Sequence, residues 1–358
     1  MPSTYPQIIL APMEGVIDHT MRALLARLGG VDRCVTEFLR VSQELQPARV
    51  FYRICPELRH GGTTDTGVPV YLQLLGGDPD LLAAHAARAM DLGAPGVDLN
   101  FGCPAKTVNK SDGGAILLRE PERVYRIVDA VRRAFPPPRP LTVKIRLGFQ
   151  DRSQFLEVVS AVDSAAPDQL AIHARTRADG YRPPAYWSEI ARAKQVCRTP
   201  IVANGEIWSV EDAIRARAQS GVDALMLGRG ALCRPDLPRL LRAHDLGEAH
   251  SGLDWSSIVA LVLDHLDTLL AHYDRRYVVN PIKQWLGYLR HYYPQASRFF
   301  EHNKRIKDAS QMRLALLGEI QTEFPTEAQA KQSSERLSEL RTDPERALRR
   351  EQKAAKAA

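Results

Sequence analysis

Short apolar segments alternate with amphipathic segments along roughly the first two thirds of the chain. The apolar segments are four to six residues long and rich in Val, Ile and Leu, which is typical of strands buried on both faces of a parallel sheet. The pattern predicts strands at residues 8–13, 34–37, 70–75, 96–99, 141–146, 170–173, 201–204 and 224–227.

The segments between these strands repeat apolar residues at helical spacing. The predicted helices run to residue 28 after the first strand and cover residues 80–90, 120–134, 155–162, 187–197 and 210–219. Successive strand–helix units predict an α/β fold, a TIM (β/α)8 barrel, at residues 1–244. A change in composition near residues 245–254 indicates a linker to a smaller all-helical domain at residues 245–318.

One helix of this second domain has a clear start. Asn280 is a suitable N-cap and Pro281 suits the first helical position. An apolar stripe follows at helical spacing, which predicts packing for Trp285 as for its neighbours Ile282, Leu286 and Leu289. Residues 319–358 balance eight acidic against eight basic residues, which predicts either a charged helix or a disordered tail.

Charge changes the interpretation of the helical region. The whole chain of 358 residues carries a formal net charge of +6, which favours anionic partners without defining them. Residues 271–313 concentrate this excess, with nine Lys or Arg against three Asp or Glu and eight aromatic residues. A solvated helical face is the ordinary explanation, but a one-signed excess favours an RNA backbone footprint. The residues predicted to form it are Lys283, Arg290, Lys304 and Arg305.

Cysteine usage and the amino terminus bear on location. The five cysteines are odd in number and form no CxxC pair, which predicts reduced thiols. The first residues lack the features of a signal peptide, and no apolar run approaches membrane-spanning length. We therefore expect a cytoplasmic protein.

Cys103 is the residue around which the chemistry is organised. It lies in the segment Asn100-Phe101-Gly102-Cys103-Pro104, directly after a predicted strand, and Gly113-Gly114 closes the loop. A free cysteine is often only a small buried apolar residue. The surrounding polar residues favour a functional thiol, either a nucleophile or a general acid. No second Cys or His has zinc-site spacing, so no metal is expected.

Polar residues also follow the other predicted strands. In a TIM barrel these positions meet at the catalytic rim. They are Met13, Gln73, Asn100, Cys103, Lys144, His173, Asn204 and Arg229. The loops Asn204-Gly205-Glu206 and Gly228-Arg229 combine backbone N–H groups with a guanidinium and predict a phosphate site. Flavin mononucleotide (FMN) fits such a site, with its ring over Ala11-Pro12-Met13 and its polar edge near Gln73, Lys144 and His173.

These motifs, together with Val143-Lys144-Ile145-Arg146 and His173-Ala174-Arg175-Thr176, resemble the tRNA-dihydrouridine synthase family. The resemblance covers nearly the whole barrel. It implies FMN as the cofactor, NADPH or NADH as the reductant, and reduction of the C5–C6 bond of a D-loop uridine in tRNA. It assigns Cys103 the protonation of C5 while hydride reaches C6. It also implies tRNA contacts for Arg40, Lys283 and Lys304, and it allows one for Trp285. Asn100 and Arg290 are further candidates for RNA binding.

The segment 36–41 with residues 53–58 further resembles the bacterial C-type subfamily, whose members are associated with uridine 16. We expect a monomer. Three other interpretations remain open from the residues. They are an FMN oxidoreductase of a small pyrimidine, similar to dihydroorotate dehydrogenases; a Schiff-base lyase using Lys144; and a non-catalytic RNA-binding barrel. The same tRNA chemistry at another D-loop uridine is a further alternative.

Overall fold

A computed structural model describes residues 5–249 and 251–323, with side chains through residue 320. Its parallel strands form a closed barrel in which each strand pairs with the next in sequence and β8 pairs with β1. The predicted TIM barrel is confirmed. The strands are β1 Ile8–Leu10, β2 Arg33–Arg40, β3 Val70–Leu75, β4 Val97–Asn100, β5 Leu141–Arg146, β6 Gln169–His173, β7 Ile201–Asn204 and β8 Leu225–Leu227.

Helices connect the strands along the chain. Their ends follow the local sequence: Asp78 caps α3 (Pro79–Asp91) by accepting a hydrogen bond from Leu81 N at 2.9 Å, and Ser209 caps α8 (Val210–Ser220). Helix α8 ends at Gly221, whose φ of 66° is left-handed. The helices are α1 His19–Arg27, α2 Ala48–Ile54, α3 Pro79–Asp91, α4 Lys106–Lys110, α5 Pro121–Ala134, α6 Phe155–Ser164, α7 Trp187–Val196 and α8 Val210–Ser220, with 3-10 turns at Pro56–His60 and Gly114–Arg119.

The barrel interior has an apolar part and a polar part. The apolar part is a buried cluster from β1, β2, β6, β7 and β8, formed by Ile9, Ala11, Val35, Ala171, Val202 and Met226. The polar part comes from the neighbouring strands β3, β4 and β5, where Gln73 pairs in register with Asp98 and Asp98 with Thr142. Buried polar side chains require hydrogen-bond partners, so this part of the barrel is built for polar contacts rather than for packing alone.

The remaining helices belong to a second compact unit, which also includes residues 20–30. They are α9 Arg229–Cys233, α10 Leu237–Asp245, α11 Trp255–His272, α12 Val279–Leu289, α13 Pro294–Asn303 and α14 Ala309–Glu323. The predicted apolar stripe of α12 is confirmed, since Ile282, Trp285, Leu286 and Leu289 are all buried. The predicted N-cap at Asn280 is wrong, because the helix begins at Val279 with Val278 as its cap. Both valines are buried, and their packing draws them into the first turn.

The first unit comprises residues 5–19 and 31–228, and the second comprises residues 20–30, 229–249 and 251–323. The chain thus divides at residue 228, earlier than the predicted 244. The cause is that α9 is tied to α12, with Trp285 Nε1 donating to the carbonyl of Leu232 at 3.0 Å. Helix α14 continues past residue 318, and the predicted tail beyond residue 323 lies outside the described residues.

Candidate active site

The strand ends bring most of the predicted site residues of the barrel to one rim. Asn100, His173 and Asn204 are the last residues of β4, β6 and β7. Lys144 pairs in register with Asn100, and His173 pairs with Asn204. Because the strands are parallel, their carboxyl ends meet at the same end of the barrel. The strand-end pattern in the sequence therefore identified a real cluster of polar side chains.

Lys144 is a buried cation with one side-chain hydrogen-bond partner. Its Nζ donates to Oδ1 of Asn204 at 3.0 Å, and Nδ2 of Asn204 in turn donates to the carbonyl of Met226 at 2.8 Å. Burial lowers the pKa of Lys144 to about 8, and the nearby Arg146 cation acts in the same direction. The ammonium is thus poised to gain from an anion placed beside it.

Gln73 and Asn100 lie in a chain of hydrogen bonds that starts at Asp98. Gln73 Nε2 donates to Asp98 Oδ2 at 2.7 Å, and Asn100 Nδ2 donates to Gln73 Oε1 at 2.8 Å. Asn100 Oδ1 accepts from the backbone N–H of Gly102 at 2.8 Å. The chain connects a carboxyl group inside the barrel with the backbone one residue before Cys103.

Cys103 is buried beside apolar side chains, packing with Leu75 and Val108. Burial is the main cause that raises the pKa of its thiol, while a hydrogen bond with the backbone of Ala105 opposes the rise. The thiol therefore keeps its proton at neutral pH. A protonated thiol is a proton donor and a poor nucleophile, which favours the general-acid interpretation over the nucleophile.

Asn109 holds the Cys103 loop from within α4. Its Nδ2 donates to the carbonyls of Cys103 at 3.0 Å and Ala105 at 2.7 Å, and its Oδ1 accepts from Ile116 N at 2.7 Å. Gly114 closes the loop with a φ of 72°, and a Cβ there would lie 3.0 Å from the Cys103 carbonyl oxygen. Glycine is therefore required at position 114, because the left-handed φ and the close carbonyl oxygen both oppose a side chain.

Arg146 connects the Cys103 loop to the loop after β6. The guanidinium donates to the carbonyls of Gly102 at 2.8 Å, Thr176 at 3.1 Å and Gly180 at 2.9 Å. Its Cζ also lies 5.3 Å from the ring centroid of Tyr181, and this ring is 6.1 Å from that of His173. Arg146 thus fixes two loops at the rim with one buried cation.

The loop after β7 leaves no room for a side chain at Gly205. Gly205 has a φ of 110°, and a Cβ there would lie 2.7 Å from Cδ2 of His173. Trp187 Nε1 donates to the carbonyl of Gly205 at 2.9 Å, and the carboxylate of Glu206 pairs with Arg175. Glu206 is thus held as part of the loop scaffold, and the ion pair fixes the turn that carries Gly205.

The loop after β8 begins beside β1. Ala11 N donates to the carbonyl of Leu227 at 2.8 Å, and a Cβ on Gly228 would meet Sδ of Met13 at 3.4 Å. Pro12 and Met13 are half-buried in the segment after β1. Arg229 follows Gly228 directly as the first residue of α9, with a half-buried side chain. Its binding of a phosphate stays a prediction.

The residues predicted to contact tRNA differ in exposure. Arg40 and Lys304 are exposed; Arg40 Nη2 lies 3.5 Å from the carbonyl of Thr107, and Lys304 pairs with Glu301. Arg290 is exposed with its guanidinium 5.4 Å from the Phe300 ring, and Lys283 is half-buried. Trp285 is 1% exposed and its N–H is bonded to Leu232. This burial favours packing over an RNA contact for Trp285.

Sequence reasoning missed Asp98, Asn109, Arg146 and Arg175 as residues that build the site. Asp98 and Arg146 stand at inward-facing strand positions, two residues from Asn100 and Lys144 respectively. The two-residue period of a strand was the available signal, since it places each of them on the same face as a predicted site residue. Nothing local indicates the ion pair between Arg175 and Glu206.

The described residues contain neither a metal-binding cluster nor a membrane-spanning helix. No group of three or more His, Cys, Asp or Glu side chains among them is placed to hold a metal ion. No helix in residues 5–249 or 251–323 has the length and apolar character needed to cross a membrane.

Comparison with known proteins gives consistent matches. The family model of dihydrouridine synthase (Dus) matches residues 9–329. A protein of Aquipseudomonas alcaligenes named tRNA-dihydrouridine(16) synthase is 46% identical over 306 residues, which cover 86% of this chain and 97% of that protein. Proteins with the same name from Pseudomonas putida and Vibrio cholerae are each 47% identical, over 86% and 82% of this chain and 95% and 90% of their own lengths.

Proposed function

Because the chain belongs to the dihydrouridine synthase family, we propose that it reduces the C5–C6 bond of uridine 16 in the D-loop of tRNA. The observation that carries the proposal is the buried thiol of Cys103, on a loop after β4 that Asn109 and Arg146 hold at the barrel rim. Reduction of the double bond adds hydride to C6 and a proton to C5. The thiol is the proton donor that the second addition needs.

We infer FMN as the cofactor, because the donor set at the rim fits it. Backbone N–H groups near Gly205 and Gly228, with the adjacent Arg229, suit the phosphate. Gln73, Lys144, His173 and Asn204 lie at the strand ends where the polar ring edge belongs, and Ala11, Pro12 and Met13 offer an apolar surface. When bound, FMN supplies the hydride, which it takes from NADPH or NADH.

Lys144 has the charge that the reduced cofactor requires. Its pKa of about 8 leaves it mostly protonated at neutral pH, in a site where burial makes a positive charge costly. An adjacent anionic group would therefore stabilise the protonated form of Lys144 and raise its pKa. We propose that Lys144 stabilises negative charge on the ring while Asn204 holds the ammonium in place.

The second unit is proposed to bind the tRNA backbone through Lys283, Arg290 and Lys304. Its segment 271–313 carries the charge excess, and all three side chains are at least partly accessible. Arg40 and Asn100 are proposed to contact the nucleotide near Cys103. We further propose that the protein acts as a monomer in the cytoplasm.

The test uses purified protein, NADPH and unmodified tRNA transcripts. We expect a flavin absorption spectrum, FMN released on denaturation, and dihydrouridine found by mass spectrometry at position 16. Dihydrouridine at another D-loop position would keep the chemistry and overturn the target. Reduction of a free pyrimidine without tRNA turnover would favour the dihydroorotate dehydrogenase-like alternative.

A further inference from the structure

Asp98 lies at the start of the hydrogen-bond chain that ends beside Cys103. We propose that Asp98 fixes the direction of this chain, so that Asn100 presents an N–H group that selects a pyrimidine carbonyl over an amino group. The inference rests on the proposed function, because the carbonyl in question belongs to the target uracil. Asp98 acts through Gln73 and Asn100, and is thus a positioning residue.

The first step is the pairing of Asp98 with Gln73. Asp98 is 1% exposed, and its two oxygens accept from Gln73 Nε2 at 2.7 Å and from the Thr142 hydroxyl. A carboxylate only accepts hydrogen bonds, so Gln73 must turn its nitrogen toward Asp98. Burial raises the pKa of Asp98. A proton on the oxygen facing Thr142 would still leave an acceptor facing Gln73, and the orientation would be the same.

The second step carries this orientation to the rim. With its nitrogen on Asp98, Gln73 turns its oxygen toward Asn100, whose Nδ2 donates to it at 2.8 Å. Asn100 Oδ1 is thereby directed at the backbone N–H of Gly102, also at 2.8 Å. A reversed amide would place two donors or two acceptors face to face in a buried setting, which is unfavourable. One carboxyl group therefore fixes two amide side chains.

The third step concerns the second amide hydrogen of Asn100, the one that does not bond to Gln73. An amide nitrogen carries two hydrogens, and Asn100 uses one on Gln73. Asn100 is half-buried at the end of β4, three residues before Cys103, so its second N–H is available at the rim. Uracil offers carbonyl oxygens there, whereas cytosine replaces one of them with an amino donor. A fixed N–H donor forms a hydrogen bond with the uracil carbonyl, whereas it would face the amino donor of cytosine without a partner.

Three single variants and one double variant separate the direction of the hydrogen-bond chain from the stability of the core. Asp98→Leu removes the acceptor. Asp98→Asn keeps it, because the new amide oxygen accepts from Gln73 while its nitrogen donates to the Thr142 hydroxyl. Thr142→Val removes the other hydrogen bond and leaves the Gln73 contact untouched. In the double variant Asp98→Asn with Thr142→Val, the amide has no partner to fix its direction.

The main readout is a single turnover. Enzyme-bound flavin is reduced with dithionite without oxygen, then mixed with tRNA, and its reoxidation is followed by absorbance. We expect Asp98→Leu to slow reoxidation by about tenfold or more, as for the loss of one oriented donor. Rates are compared per bound flavin, because Gln73 also lies at the proposed cofactor site. Asp98→Asn and Thr142→Val should stay near wild type, and the double variant should be slower than the product of the two single effects.

A second readout does not depend on activity. With 15N-labelled Gln and Asn, the side-chain amide protons of Gln73 and Asn100 should exchange slowly in wild type and Asp98→Asn, and faster in Asp98→Leu. Wild-type reoxidation rates and unchanged exchange in Asp98→Leu would overturn the inference. So would Asp98→Asn being as slow as Asp98→Leu. If Asp98→Leu does not fold, additive effects in the double variant overturn it. Failure of wild-type protein to be reoxidised by tRNA counts against the proposed function, and amide exchange then decides the inference.

Discussion

Lys144 on β5 reaches Asn204 on β7, with Nζ 3.0 Å from Oδ1, although β6 lies between their strands. The bond crosses the inside of the barrel near its rim. It places an ammonium group in a buried setting where its main side-chain partner is a neutral amide. The arrangement lowers stability in exchange for a positive charge at the proposed cofactor site.

Lys144→Met should therefore stabilise the apoprotein at neutral pH. The pKa of Lys144 is about 8 in the folded state and 10.5 ordinarily, so the unfolded chain binds more protons between these values. Wild-type stability rises with pH through this window, and the cost of the charge is complete below pH 8. The gain from Met should reach at most about 3 kcal/mol at pH 7 and shrink toward pH 10.

Urea unfolding of the two apoproteins at pH 7 and pH 10 measures this difference. Part of the gain is offset because Asn204 loses a donor, a loss of about 1 kcal/mol that does not depend on pH. Lys110→Met, at an exposed position, is the matched control for the loss of a lysine side chain. A pH-independent difference for Lys144→Met would show that the lysine is not held at a lowered pKa.

Cys103→Ala should keep its flavin and lose uridine reduction by about a hundredfold or more, because the proton donor is gone. Burial raises the pKa of the thiol above its ordinary 9.0, so the wild-type rate should not fall through thiol ionisation between pH 6 and pH 8. The measurement is dihydrouridine formation at several pH values. Cys197→Ala is the control, since this cysteine caps the end of α7. Equal rates for both variants would remove Cys103 from the mechanism.

The sequence predicted the barrel well because its strands are short runs of buried residues, as in β3 and β5, where every position is buried. It failed where distant packing overrode a local rule, as at Asn280, which the buried Val278 and Val279 displaced from the cap. It also failed for Arg146 and Asp98. The strand period places both on the same face as a predicted site residue, but their partners lie 25 to 44 residues away, and the period does not identify those partners.

Gly205→Ala should weaken flavin binding and lower stability. The substitution combines a left-handed φ of 110° with a Cβ 2.7 Å from the His173 ring, and both features oppose a side chain. We expect a loss of more than 1 kcal/mol in the free energy of unfolding and at least a tenfold weaker FMN affinity. Fluorescence titration with FMN and urea unfolding measure the two effects.

Gly287→Ala is the matched control for this change. Gly287 lies inside α12, and a Cβ there meets nothing within 4 Å. Alanine is favoured over glycine in a helix interior by about 0.5–1 kcal/mol, so this variant should gain stability and leave the FMN affinity alone. Similar FMN affinities for the two variants would argue against a role of the Gly205 loop in cofactor binding.

The last prediction concerns how the second unit holds RNA. Lys283 and Lys304 belong to the basic segment, but Lys304 already pairs with Glu301, whereas Lys283 makes no ion pair among the described residues. Charge reversal at Lys283 should therefore weaken tRNA binding more than reversal at Lys304, because Lys304 must first give up its partner. Arg133→Glu, a charge reversal at an exposed position on α5, is the control for the change in net charge.

Each lost phosphate contact should also flatten the dependence of log affinity on log salt by about 0.7 to 0.9. Binding of unmodified tRNA at several salt concentrations measures affinity and slope together. Slopes equal to wild type in Lys283→Glu would place the RNA elsewhere and leave the basic segment as a solvated helical face.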